Sequence, residues 1–361
     1  MRRGIKGLVV AGAYGVATVA FGQSTVTLFG VADVSVQNLR ADGVGSATRV
    51  ASGGNNTSRI GFRGQEDLGG GMGAGFWLEA TLSVDNGQGA ATNVNNQANG
   101  GSSAPAGTQG LTFDRRATVS LMGTWGEVRL GRDYVPSYWN VTRSDPFSAT
   151  GVASIRSLVG TGAVNAVTFV RASNSVAYHL PADLGGFYGQ VNYMLGENAS
   201  NVTNRKDGTY IGARVGFAKG PIDGAIATSR TEYLAGDFSN SNLYGAYDFK
   251  VAKVSALWNQ STVKSAVPLK QRDYQVGLVV PVGAGELKAS FARARITTSA
   301  TDDGATLLGL GYVHNLSKRS AAYVHYARVS NRGAARFSNG SGAPSPGGDT
   351  TAYEVGLRHS F

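Results

Sequence analysis

The amino-acid sequence predicts an all-β fold, a 16-stranded antiparallel transmembrane β-barrel. Three features predict it: a hydrophobic period of two along most of the chain, an alternation of tight turns with long connections, and a last strand that runs into the terminal residue. A period of two marks strands with one wet and one dry face. No segment carries a sustained 3.6-residue period, and no internal stretch approaches the roughly 20 apolar residues of a spanning helix. Barrel strands need only about 9–11 alternating residues each.

The elements follow in order. Arg2, Arg3 and Lys6 precede the small and apolar run Leu8–Phe21, and Ala20-Phe21-Gly22 supplies small residues at a cleavage site. That order is a secretory signal over residues 1–22, leaving 23–361 as one barrel domain. Its removal takes three positive charges from a formal net charge of +10. Beyond it, Val26, Leu28, Ala32, Val34 and Val36 alternate with Thr27, Phe29, Asp33, Ser35 and Gln37. Ile60 and Phe62 alternate with Arg59, Gly61 and Arg63, and Phe76, Leu78 and Ala80 alternate with Trp77, Glu79 and Thr81. The pattern returns at Ala117-Val119-Leu121, at Ile211-Ala213-Val215-Phe217 and at Val276-Leu278-Val280.

The connections alternate in length. Tight turns lie at Asp67–Gly70, Thr124–Gly126, Asp183–Gly186, Lys219–Pro221, Phe249-Lys250, Val282–Gly285 and Asn315–Lys318. Gly, Asn and Asp supply the backbone geometries such hairpins require. Between them run long stretches rich in Gly, Ser, Asn and Thr at 38–57, 86–112, 135–169, 196–208, 231–241, 261–270, 298–304 and 331–349. Seven turns and eight long connections separate sixteen strands. An even count with short turns at one rim and long loops at the other describes an outer-membrane barrel.

A soluble β-helix needs a fixed short repeat, and none is present. A soluble sandwich needs bulky residues on both strand faces, whereas 52 glycines and many alanines leave one face thin. Lipid is therefore the expected partner of the apolar faces. In hydrocarbon every backbone group must be paired, so the sheet must close. The terminal Tyr353–Phe361, "YEVGLRHSF", is then the closing strand, expected to pair near Thr25–Gln37. Phe361 falls at the membrane interface, where aromatic rings concentrate. Absence of cysteine removes thiolate chemistry, and basic residues scattered singly along strands give no nucleic-acid footprint.

Four pieces carry a family resemblance: "QSTVTLFGVADVSV", "SRIGFRGQEDLGGGMGAGFWLEATLSVD", "FDRRATVSLMGTWGEVRLGRDY" and the terminal "YEVGLRHSF". With these the chain resembles the sixteen-stranded, trimeric general porins of the Gram-negative outer membrane, in the branch typical of β-proteobacteria. The resemblance implies a water-filled channel for passive diffusion of small hydrophilic solutes and ions, a homotrimer in the lipid bilayer, and no cofactor. It also implies that the outer-membrane assembly machinery reads Phe361, and that the third long loop folds inward.

Sixteen strands enclose more space than side chains fill, so the charges on the wall set selectivity. Loop 135–169 is the expected constriction, and its aromatic opening, Tyr134, Tyr138, Trp139 and Phe147, is suited to packing on the inner wall. Alternation turns Arg59, Arg63, Arg116 and Arg214 inward, together with Glu79 and Asp33. Arg132 shares parity with Val128 and Leu130 and so points to lipid, but a bulge near the strand end and the family pattern are expected to re-aim it inward. Within the loop, Arg143 and Arg156 stand against Asp145, also expected to line the pore. The loop is less acidic than is usual in the family, and a modest anion preference follows. Any single inward arginine has a plainer role open to it, bracing the wall against Glu79 or Glu354.

Metal and catalytic chemistry find no support. His179, His314, His325 and His359 lie on separate strands, and no nucleophile elbow or phosphate loop is present. The run Gly69-Gly70-Gly71 joins two strands and is a turn. Two alternatives stand beside a general channel: a substrate-specific channel, and a barrel enzyme using His179 or His325, for which no partner is identifiable.

Overall fold

The computed structural model describes residues 25–98, 110–161, 164–297 and 302–361; the expected export signal lies outside them. One antiparallel sheet contains every strand. Its first half comprises β1 (Thr25–Ala41), β2 (Gly45–Ser52), β3 (Arg59–Gly69), β4 (Met72–Thr81), β5 (Arg116–Gly123), β6 (Gly126–Tyr134), β7 (Arg171–His179) and β8 (Phe187–Met194). Its second half comprises β9 (Tyr210–Lys219), β10 (Ile222–Thr231), β11 (Asp237–Asp248), β12 (Lys253–Lys264), β13 (Leu269–Val282), β14 (Gly285–Thr297), β15 (Asp302–Asn315), β16 (Ser320–Arg332) and β17 (Thr350–Ser360).

The sheet closes where the terminal strand meets the first. Val31↔Ser360 through Ala41↔Thr350 join β1 to β17, and Phe361 exchanges backbone hydrogen bonds with Gly30. The other edge of β1 is shared: Thr25–Val31 pair with β3, and Val34–Ala41 pair with β2. Seventeen segments thus fill sixteen places around the barrel. The first long connection, expected at 38–57, is largely strand. It escaped the period-two pattern because β2 is exposed on both faces over Gly45–Val50.

The faces are inverted relative to a soluble protein. On β1, Val36 is 55% exposed between Ser35 at 2% and Gln37 at 5%. Val119, Ile211, Ile226, Val276, Phe291, Val355 and Leu357 all lie exposed on the outside. Lipid takes the place of a protein interior there. The buried apolar cluster is instead inside the barrel, where Val141, Phe147, Ile155, Leu158 and Phe169 of the third long loop pack on Phe238, Tyr244, Leu257 and Leu307 of the wall. Apolar residues of this loop thus pack against the wall.

The loop opens with helix α1 (Pro136–Ser144). Its first residue is Pro136, which loses no hydrogen bond at that position. Nine residues are too few for a helix to persist alone. Packing holds it: Ser137, Tyr138, Asn140, Val141 and Ser144 are buried toward β9–β13.

Candidate functional site: the pore lumen

The loop is fixed to one side of the wall mostly by amides, hydroxyls and backbone carbonyls. Asn140 donates to Asn242 Oδ1 (2.8 Å) and to the Ala225 carbonyl (3.1 Å), while Asn242 donates back to the Ser137 carbonyl (3.0 Å). Ser255 donates to the Ser144 carbonyl (2.6 Å), and Gln271 to the Leu158 carbonyl (2.9 Å). Further along, the Val152 N–H donates to Glu354 (3.3 Å), whose carboxylate also accepts from Gln37 (2.9 Å) and sits 2.8 Å from His325 Nδ1. Asp33 accepts the N–H groups of Gly54, Asn55 and Asn56 and the Tyr323 hydroxyl. At Gly151, with φ of +73°, any side chain runs into the Gly54 carbonyl, so loop and wall approach backbone to backbone.

The opposite side, β3 to β7, is charged. Arg59 lies 3.7 Å from Glu79 and donates to Asn56 Oδ1 (3.0 Å) and the Thr57 carbonyl (2.9 Å). Glu79 also accepts from Arg115 (2.5 Å) and Trp77 Nε1 (3.2 Å). Arg116 stacks over Trp77 (4.6 Å) and approaches Asp133 (3.5 Å). Arg63 lies over Phe29 (5.3 Å) and Trp77 (5.1 Å), with no carboxylate partner among the described residues. Arg129 bridges Glu127 (2.8 Å) and Asp133 (2.6 Å). Arg171 donates to the Tyr134 hydroxyl (2.6 Å) and covers its ring (4.3 Å). Two cavities follow this wall. One, of about 300 Å³, is bordered by Arg59, Glu79, Arg115, Tyr134, Trp139 and Arg171; the other, of about 390 Å³, by Thr27, Arg63, Arg116, Thr118 and Arg129. Six arginines here face three carboxylates.

A family model described as Gram-negative porin matches residues 7–334. The chain belongs to that family. It is 36% identical to outer membrane porin protein 32 of Delftia acidovorans over the whole of both chains. It is 27% identical to major outer membrane protein P.IB of Neisseria lactamica, covering 93% of this chain and 94% of that one. Among solved structures it is similar to an anion-selective porin from Comamonas acidovorans, with a TM-score of 0.79 and 36% identity over 94% of this chain and 100% of the other. This porin is an outer-membrane channel protein. Family and relatives point to a channel rather than an enzyme.

Two expected pore residues of this porin lie elsewhere. Arg132 does not turn inward. The register shift beside it exists, but Gly131 pairs with Ser175 and Asp133 with Ala172, so the extra residue lies in β7, where Asn174 takes φ of +58°. The alternation of β6 survives, Arg132 pairs with Ala117, and its guanidinium donates to the Asp114 carbonyl (2.5 Å) and Ser173 Oγ (2.9 Å). Asp145 does not face the lumen either. It is buried and accepts the N–H groups of Ala149 (3.0 Å), Ile155 (3.1 Å) and Phe147 (3.2 Å), and Gln275 Nε2 (3.1 Å). Burial pushes its carboxyl up from the ordinary range, and these donors act against that shift.

Arg214 is inward but committed, donating to Asn140 Oδ1 (2.7 Å) and stacked on Tyr188 (4.6 Å), so it braces α1. Arg143 reaches across to Asp223 (2.7 Å). Arg156 is packed over Phe169 (5.0 Å) with its guanidinium on the Val159 carbonyl (2.6 Å). Sequence reasoning missed Arg115, Arg129 and Arg171. Arg129 was readable, since Glu127 and Arg129 alternate with Val128 and Leu130. Arg115 precedes its strand and Arg171 begins one, where parity is not yet defined.

Proposed function

We propose that the channel passes small hydrophilic solutes and ions by passive diffusion, with a modest preference for anions. One observation carries the preference: the arginine wall of β3–β7 borders water, while the loop opposite contributes almost no free negative charge. Asp145 is locked inside the loop, and Asp223 is matched by Arg143. Arg59, Arg63 and Arg116 are the charges assigned to the lumen, with Arg115, Arg129 and Arg171 beside them and Glu79 as the principal opposing group. The solved relative titled anion-selective supports the same sign. The preference is modest because salt screens charges beyond about 8–10 Å in a wet pore. Reversal potential across a salt gradient in planar bilayers tests it. The anion sign is expected, and a cation sign rejects it.

Two further assignments belong to this reading. The porin assembles as a homotrimer, to be checked by native mass spectrometry of the detergent-extracted protein. Residues 1–22 direct export and Phe361 guides insertion by the assembly machinery. The terminal ring lies over Gly30, where no side chain other than glycine leaves room for it. N-terminal sequencing of mature protein checks the first, and Phe361→Ala, expected to lower the amount of folded barrel in the outer membrane several-fold, checks the second.

A further inference from the structure

Two apolar side chains stand on the inner face of the wall beside its rim of long connections. Leu269 opens β13 on the face of Gln271 and Asp273, and Ile296 nearly closes β14 on the face of Ala292 and Ala294. Water-filled barrels line this face with polar groups. Both side chains touch the buried apolar cluster, yet each is only half-buried. The last long connection adds two more. Its Ala335 and Phe337 are buried in that same cluster, with Leu158 of the third long loop and Leu307 and Val329 of the wall. A cavity of about 670 Å³ opens here, bordered by Leu269, Ile296, Ala335, Phe337, Asp303 and Arg336. That is the size of a small-molecule site. In barrels of this kind the rim of long connections is extracellular.

Hydrogen bonds fix the border of the cavity. Asn331 brackets Phe337, accepting its N–H at Oδ1 (2.8 Å) and donating Nδ2 to its carbonyl (2.9 Å). The Gly347 N–H donates to the Ala335 carbonyl (3.0 Å). The two charges on the border differ in how they are used. Asp303 accepts the Ala334 N–H (2.9 Å) and so helps to hold the connection. Arg336 is exposed and commits only Nε, to the Pro344 carbonyl (2.6 Å). Its terminal nitrogens make no hydrogen bond or ion pair among the described residues. A guanidinium placed in this way offers a planar fork to a carboxylate. The half-buried apolar floor gains whenever an apolar body takes the place of water on it.

We infer that this cavity binds organic monocarboxylates with an apolar body, Arg336 holding the carboxylate and Leu269, Ile296 and Phe337 the body. The inference takes from the proposed channel only that its mouth is open to solutes, and it does not depend on the ion preference. The probe is 4-phenylbutyrate, titrated calorimetrically into the full-length porin in lipid nanodiscs, with empty discs subtracted. Saturable binding is expected. R336Q is expected to weaken it about tenfold, since a hydrogen bond to a charged group carries about that factor. R336K keeps the charge but not the bond to Pro344, and is expected to retain affinity within about threefold. Acetate, which has the charge without the body, is expected to bind at least about tenfold more weakly to wild type. L269N is expected to weaken 4-phenylbutyrate and leave acetate unchanged. The triple variant R59Q/R63Q/R116Q is expected to bind 4-phenylbutyrate like wild type, because those arginines border other cavities.

Equal affinity of wild type and R336Q overturns the site, and so does R336K binding as weakly as R336Q, because the shape of the connection rather than its charge then decides. Acetate bound as tightly as 4-phenylbutyrate overturns it too, since the apolar floor then contributes nothing. Equal or tighter binding of 4-phenylbutylamine gives the cavity to cations drawn by Asp303. Binding lost in the triple variant moves the site to the arginine wall. Single-channel recording on the same preparations separates this inference from the channel itself. Wild-type protein that binds 4-phenylbutyrate yet passes no ions leaves the site standing and removes the channel; wild type that conducts without saturable binding does the reverse.

Discussion

The part of the inner wall that the third loop packs against and the part it leaves bare are built from different side chains. Under the loop, Asn140, Asn240, Asn242 and Asn259 form a network of amides, and Gln271 and Gln275 donate to the buried carboxylates Asp273 and Asp145. On the bare side, Arg59, Arg63, Arg115, Arg116 and Arg129 stand beside Glu79, Glu127 and Asp133. The difference follows from hydration. A charge pressed against a packed loop loses its water and must be fully paired, whereas an amide needs only hydrogen bonds. The carboxylates that do occur under the loop obey this rule. Asp145, Asp33 and Glu354 each collect several donors. One barrel therefore contains an adhesive side, where amides and fully hydrogen-bonded carboxylates hold the loop, and a charged conducting side.

The largest effect is expected where that adhesive is densest. Asp145→Ala leaves three buried N–H groups and the Gln275 amide without their acceptor. At about 1–3 kcal/mol for each unsatisfied buried group, the loss is about 3 kcal/mol or more. Urea unfolding of the refolded barrel is expected to show it as a lower midpoint, with larger and noisier single-channel steps as the loop comes free. An unchanged midpoint and unchanged steps break the contrast, since the loop is then held by apolar packing alone.

Next in size is the conducting side. Replacing Arg59, Arg63 and Arg116 together by glutamine removes three charges that border water but leaves Glu79 with Arg115. Charges a few ångströms from a permeating ion act with about 1 kcal/mol each in water, less at physiological salt. The anion-to-cation permeability ratio is expected to fall about threefold or more, to or below unity, and the shift is expected to shrink as salt is raised. A ratio that does not move transfers the preference to residues outside this wall.

These contrasts were unevenly legible in the sequence. The barrel itself was plain, because lipid on one side and water on the other force a period of two wherever a strand crosses the membrane. Arg59, Arg63, Glu79 and Arg116 were placed on the inner face by that parity alone. Where the contrast between faces ends, the signal ends: β2 is exposed on both faces over Gly45–Val50 and reads as loop, and Arg115 and Arg171 sit at strand boundaries. The loop was harder still. Nothing local distinguishes Asp145, which is buried by contacts up to 130 positions away in the chain, from Arg143, which reaches Asp223. Its composition showed that it was aromatic; the wall it meets decides which of its charges survive.

A smaller shift is expected from Arg143→Gln. The substitution releases Asp223, which still accepts from Tyr188 (2.7 Å) and Tyr244 (3.1 Å). One positive charge is lost and one negative charge is uncovered at the edge between the two sides. Because Arg143 is partly exposed and its pair is worth about 1 kcal/mol or less, the permeability ratio is expected to fall by less than about twofold. A shift as large as that of the triple variant would place the selecting charge on the loop instead of the wall.

The smallest expected effect is the most discriminating for the assignment of faces. Arg132 carries the same charge as Arg116 and pairs with its neighbour, Ala117, one residue along the same strand. If charge near the constriction were enough, Arg132→Gln and Arg116→Gln would shift the reversal potential alike. The structure gives them opposite faces, because the bulge at Ser173–Asn174 inserts its extra residue into β7 and leaves the parity of β6 intact. Arg132→Gln is therefore expected to leave the reversal potential unchanged within error, while loss of its bonds to the Asp114 carbonyl and Ser173 loosens the second long connection. Limited proteolysis between residues 82 and 115 reads that loosening directly. A changed potential with unchanged proteolysis would return Arg132 to the lumen.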